Sequence, residues 1–156
     1  MIKYPLFNYR ESSHISLLDS NDCDQVQIFM ANLLLIGLGG FLGALLRYTV
    51  SGVVQGWFKS LTFPYGTLAV NLMGCLLIGV LSQVAESRGF ISAEARSFVF
   101  VGLLGAFTTF STFGDDTVSL FRDGEDLLSY ANVGLHLVLG LSAVWLGRTL
   151  AGIPIK

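Results

Sequence analysis

Four long apolar stretches, at about 33–58, 66–85, 97–121 and 127–150, occupy almost all of the chain beyond residue 30. Crossing a hydrocarbon core of about 30 Å takes roughly 20 apolar residues in a helix, so each stretch is long enough to span a membrane. The connections Lys59 to Pro64, Glu86 to Glu94 and Arg122 to Asp126 are short and hold most of the charges and turn residues. Nothing is left over for a soluble domain. Hydrophobic residues at 53% and charged residues at 13% agree with this reading, as does a mean hydropathy of +0.66. The expected fold is an all-α membrane protein of four transmembrane helices, with both termini on one side. Trp57, Tyr65, Tyr130 and Trp145 fall near span ends, where amphipathic rings meet the headgroups.

The net charge of −2 and nine scattered Lys and Arg residues form no basic stripe, which argues against nucleic acid as a partner. Cys23 and Cys75 make neither a disulfide framework nor a metal cluster and read as ordinary small residues. Residues 1–30 differ from the rest. Ile2 to Gln27 is polar and non-periodic, with Asp19, Asp22 and Asp24 close together, and reads as a disordered extension. Met30 directly precedes the apolar pattern and is a candidate start of translation, which would make the extension a mis-assigned start; residues 31–156 form the four-helix domain. No short apolar stretch with basic flank and cleavage-like site opens the chain, so the first span is expected to act as its own insertion signal. Arg88, Arg96, Arg148 and Lys156 fall on the terminal side, against Lys59 and Arg122 opposite. That bias is weak, and a chain starting at Met30 is compatible with insertion in either orientation.

Polar residues at membrane depth are costly and mark candidate functional positions. Gly39, Gly43 and Arg47 lie four residues apart on one helical face. The glycines form a small-xxx-small contact for another helix, which turns Arg47 toward protein; it either reaches the interface or capping carbonyls, or offers an anion-attracting charge at a pore mouth. Thr67, Asn71 and Cys75 make a second stripe, and the Asn71 amide either bonds a neighbouring helix or faces a permeating anion. Gly102 to Gly114, with Thr108-Thr109-Phe110-Ser111-Thr112-Phe113 inside it, is rich in residues whose side chains compete for backbone hydrogen bonds. A helix break at mid-span is predicted there. The alternative is a continuous helix with Ser and Thr bonding back to preceding carbonyls. Broken backbone at that depth must be buried in protein or line a cavity, and its open carbonyls suit a cation. Asn132, His136 and Gly140 share a face of the last span. No Asp or Glu lies near a span centre, which favours a passive pathway over a proton-coupled carrier.

Gly-Gly-Phe-Leu-Gly-Ala-Leu-Leu-Arg-Tyr at 39–48, Gly-Thr-Leu-Ala-Val-Asn-Leu-Met-Gly at 66–74 and Gly-Leu-Leu-Gly-Ala-Phe-Thr-Thr-Phe-Ser-Thr-Phe at 102–113 together resemble the Fluc/CrcB fluoride channel family. The resemblance covers residues 31–152. It implies a fluoride-selective passive channel that exports the anion across a bacterial plasma or inner membrane, built as an antiparallel, dual-topology homodimer with two pores. It implies a structural sodium ion on the backbone carbonyls of Gly105 and Thr108. Phe110 and Phe113 match the family's pore phenylalanines, and Asn71 its pore asparagine. Ser111 and Thr112 belong to the same break, and Arg47 matches the first-helix arginine. Some members carry a tyrosine and serines where this chain has Asn132, His136 and Gly140, so Asn132 and His136 enter as candidate substitutes along the fluoride path. A small dual-topology multidrug or cation exporter, the alternative, would want a membrane-embedded glutamate that this sequence lacks. A scaffold using its small residues only for helix packing is the non-transport alternative. No nucleophile–base pair suggests an enzyme.

Overall fold

The computed structural model describes residues 20–60, 62–88 and 91–152. Among the described residues the elements are all helical: α1 (Ser20–Phe58), α2 (Tyr65–Arg88), α3 (Ala93–Arg96), a π-helical segment (Ser97–Leu104), α4 (Gly105–Phe107), α5 (Phe110–Arg122) and α6 (Asp126–Gly152). These elements make four spans long and apolar enough to cross a membrane: Gln25–Phe58, Tyr65–Ser87, Ala93–Arg122 and Asp126–Gly152. The four sequence-predicted segments coincide with them. Helix α1 begins earlier than the apolar pattern, at Ser20. The expected disordered segment over 1–30 thus meets helix from Ser20 onward, and residues 1–19 lie outside the described residues.

Helix α1 ends where Lys59 takes a left-handed backbone conformation (φ 49°). The side chain of Gln55 then ties down the turn. Its Nε2 donates to Ser60 O (2.6 Å) and Phe63 O (3.0 Å), and its Oε1 accepts from the Gly66 N–H (2.9 Å). A single amide thereby bonds three main-chain groups at a helix–helix corner, the Phe63 carbonyl also accepting from Tyr65 N (3.0 Å). At the other side of the membrane Ser92 caps α3 by accepting from Ala95 N (3.3 Å).

Helix α1 packs on the π-helical segment, and α2 packs on α6. Small residues make both contacts close. A Cβ at Gly39 would strike Phe98 O, and one at Gly43 would strike Leu103 O. The Gly39/Gly43 face read from the sequence is therefore the seam between α1 and the third span. Gly79 and Gly147 play the same part between α2 and α6, against Val144 O and Leu76 O. The outward surface carries large apolar side chains such as Leu38, Phe41, Leu45, Val138 and Leu141, as a bilayer-facing surface requires.

Candidate functional site

The third span is broken midway, between α4 and α5. Thr108 (φ −84°, ψ 159°) and Thr109 (φ −150°, ψ 114°) are extended. Local chemistry explains the position. The Thr108 N–H and hydroxyl both donate to Leu104 O at 3.1 Å, closing the last turn before the break. Thr109 then supplies the N-cap of α5, accepting from Thr112 N at 3.2 Å. Its hydroxyl also pairs with those of Ser111 (3.3 Å) and Thr112 (2.9 Å). The predicted break is present, and it consists of two residues.

The remaining polar groups of Thr109 are held by α2. Asn71 Nδ2 donates to Thr109 O (3.0 Å), and Thr109 N donates to Asn71 Oδ1 (2.8 Å). The carboxamide thus pairs with both main-chain groups of one residue, as a neighbouring strand would. Of the two readings left open for Asn71, the helix–helix bond is present, and Asn71 also lines a cavity. One Nδ2 hydrogen stays uncommitted by the clamp. Across the break, among the described residues, no backbone N–H bonds the carbonyls of Gly105 to Thr108. Helix α5 begins at the middle of the third span, so its positive dipole end lies at the break.

Two cavities flank this point. The first, about 310 Å³, is lined by Asn71 and Cys75 of α2, Thr108 and Thr109 of the break, and Phe110, Phe113 and His136 among others. Its aromatic wall is continuous: Phe110 and Phe113 have ring centroids 5.5 Å apart, and Phe113 and His136 4.4 Å. The second, about 370 Å³, is lined by Arg47, Tyr48 and Ser51 of α1, Thr67 of α2, and Thr109 and Thr112. Thr109 belongs to both.

The expected site residues therefore divide. Asn71, Thr108, Phe110, Phe113 and His136 gather at the first cavity, while Arg47 and Thr112 stand at the second. Ser111 and Gly105 are exposed beside the break. Asn132 is elsewhere: at 0% exposure it lines neither cavity. Its Nδ2 donates to Thr117 Oγ1 (2.9 Å), which donates to Phe113 O (2.7 Å), while Ser129 Oγ donates to Thr117 O (2.9 Å). Asn132 braces α5 behind Phe113. Thr109, shared by both cavities and bonded through all its polar groups, was not singled out from the sequence. A threonine just ahead of a Ser/Thr-rich helix start is an N-cap signature that would have marked it.

Fold and site define a multi-pass membrane protein whose third span is interrupted between two cavities, one aromatic and one bearing an arginine. The family described as "CrcB-like protein, Camphor Resistance (CrcB)" matches residues 34–148. This chain belongs to that family. It is 42% identical over 118 residues to the fluoride-specific ion channel FluC of Methylobacillus flagellatus, covering 76% of this chain and 92% of that protein. The FluC of Hydrogenovibrio crunogenus is 44% identical over 115 residues, covering 74% and 86% respectively. That of Shewanella sp. strain ANA-3 is 46% identical over 121 residues, covering 78% and 96%. These relatives are named as ion channels, not enzymes.

Proposed function

We propose that this protein is a passive, fluoride-selective channel that lets the anion leave the cell, assembled from two antiparallel copies. The observation that carries the reading is the break itself, with Phe110, Phe113, Asn71 and threonine hydroxyls around one cavity, in a chain whose relatives are named fluoride-specific channels. Fluoride is small and strongly hydrated, so its water must be replaced donor by donor in a low-dielectric path. The uncommitted Nδ2 hydrogen of Asn71, hydroxyls near the break and the positive ring edges of Phe110 and Phe113 are groups of the right sign. Arg47, in the neighbouring cavity, attracts anions toward the same Thr109.

A second copy is supported by what one copy leaves uncovered. Phe110 is 84% exposed, and Gly105, Ser111 and Thr112 are exposed beside it at mid-span. The carbonyls of Gly105 and Thr108, unused across the break, are hard oxygen donors that fit a sodium ion. One chain offers too few of them, so the ion would lie between two copies; when bound it would supply positive charge and join the two breaks.

Fluoride efflux from liposomes containing the purified chain, with chloride as comparison, tests the reading. A fluoride flux well above the chloride flux is expected. No fluoride flux, or equal fluxes of the two halides, would overturn it.

A further inference from the structure

Two extended residues, Thr108 and Thr109, separate α5 from α4, so the turning of α5 about its own axis is not inherited from the helix before it. Side-chain contacts must set it. Asn71 holds the start of α5 by way of Thr109. A second hold lies at Thr117, about 12 Å further along the helix, and its hydrogen bonds come from α6. Ser129 Oγ donates to Thr117 O (2.9 Å), and Asn132 Nδ2 donates to Thr117 Oγ1 (2.9 Å). Ser129 and Asn132 are both 0% exposed and, three residues apart, share one face of α6.

The orientation of the Asn132 amide is fixed by chemistry. The Thr117 hydroxyl has one hydrogen, which goes to Phe113 O (2.7 Å), an oxygen that can only accept. Thr117 Oγ1 therefore accepts from Asn132, which places Nδ2 there and turns Oδ1 away. Oδ1 is buried and has no hydrogen-bond partner among the described residues. Half of the amide is thus buried at a cost in stability. An apolar side chain of similar size would avoid that cost, because the Thr117 hydroxyl already has its acceptor. What the amide adds is direction. Apolar side chains let two helices turn on each other, whereas a buried hydrogen bond admits one register.

That register reaches Phe113, one turn before Thr117 on the same face of α5. Phe113 lines the aromatic cavity, and its ring centroid lies 4.4 Å from that of His136 on α6. On the basis of the fluoride reading above, we propose that Asn132, acting with Ser129 through Thr117, is a positioning residue for halide selectivity: it locks the rotation of α5 on α6 and so holds Phe113 at the spacing that admits fluoride and refuses the larger chloride. Asn132 itself touches no anion, in keeping with its place outside both cavities. An atom at the rim of a helix, about 5–6 Å from the axis, moves about 1 Å when the helix turns by about 10°. That is about twice the tolerance of a preorganised site, which is about 0.5 Å.

The test measures fluoride and chloride efflux from liposomes containing the full chain, beside its unfolding midpoint in detergent. Asn132→Leu removes the directing bond and the unpartnered oxygen together. Its midpoint is expected to equal or exceed that of the wild type, while its fluoride-to-chloride flux ratio falls about tenfold, within the loss that a misplacement of about 1 Å can cause. Thr117→Val takes away the acceptor at the other end and is expected to lower the ratio as far, whereas Thr117→Ser, which keeps the hydroxyl, retains the wild-type ratio. The nuclear Overhauser contact between the Phe113 and His136 rings, followed by NMR in micelles, is expected to weaken in Asn132→Leu and Thr117→Val and to persist in Thr117→Ser. A folded Asn132→Leu or Thr117→Val chain with the wild-type ratio overturns the inference and leaves the fluoride reading standing. So does a ratio that tracks the unfolding midpoint across the three variants, which marks a brace for stability alone. A wild-type chain with no fluoride flux, or with equal fluxes of the two halides, overturns the fluoride reading and the inference with it.

Discussion

Asn71→Ala separates a side chain that shapes the break from one that only lines it. The substitution removes both hydrogen bonds to the Thr109 main chain, at 3.0 and 2.8 Å. Thr109 is 7% exposed and extended, so no neighbouring helical carbonyl or N–H can take over. Leaving a buried backbone group unpaired costs about 1–3 kcal/mol. Side-chain bonds inside membranes average nearer 0.6 kcal/mol, because the unfolded chain also finds partners there. The higher figure applies here, since Thr109 is fixed in its extended form by the cap it provides to α5. At about 2 kcal/mol, amide exchange at Thr109 accelerates about 30-fold. Hydrogen exchange followed by NMR in micelles or nanodiscs measures it residue by residue. Asn71→Asp keeps an acceptor for the Thr109 N–H but sets an oxygen against Thr109 O, and is expected to be at least as disruptive. Thr109 exchange in Asn71→Ala within about twofold of wild type would refute the clamp, since that ratio is only about 0.4 kcal/mol.

Thr109→Val removes the cap of α5 and its hydroxyl cluster; a loss of about 1 kcal/mol is expected in detergent unfolding, with Thr109→Ser much milder. Phe110→Ala, at an outward position, is expected to lower fluoride flux about tenfold, the equivalent of one lost aromatic edge contact, while leaving helicity by circular dichroism unchanged. Gly43→Val drives a side chain into Leu103 O and is expected to cost about 1–3 kcal/mol of unfolding free energy, whereas Gly37→Ala, with open space around its Cβ, is expected to be close to neutral. Equal unfolding midpoints for the two glycine variants would dismiss the close seam between α1 and the third span.

The spans were legible because length and hydropathy alone decide them. The break was legible as a weakness, since Thr108, Thr109, Ser111 and Thr112 each offer the backbone a competing bond. The π-helical form of Ser97–Leu104 was not. Ser-Phe-Val-Phe-Val-Gly-Leu-Leu reads as any apolar helix, and its close packing on α1 depends on Gly39 and Gly43, more than fifty residues away. The Asn71 clamp is likewise non-local, joining residues 38 apart. Asn132 and His136 show the limit of periodicity. Four-residue spacing puts both on one face, but only the packing of α6 on α2 and α5 decides that one is buried as a brace while the other reaches the cavity.

Breaking a helix at mid-membrane frees polar groups, and their distribution here is uneven. Several are closed within the chain: both main-chain groups of Thr109 by Asn71, and the Thr112 N–H by Thr109. Beside them Gly105, Ser111 and Thr112 are exposed, the two hydroxyls paired with Thr109, and among the described residues no backbone N–H across the break bonds the carbonyls of Gly105 to Thr108. Each unsatisfied polar group facing hydrocarbon costs several kcal/mol, so three or four of them together would rival the whole stability of a small domain. Lipid would therefore be a costly neighbour for whichever of these carbonyls face it. In the proposed pairing of two copies, a second chain presenting the same edge would relieve both chains of that cost at once.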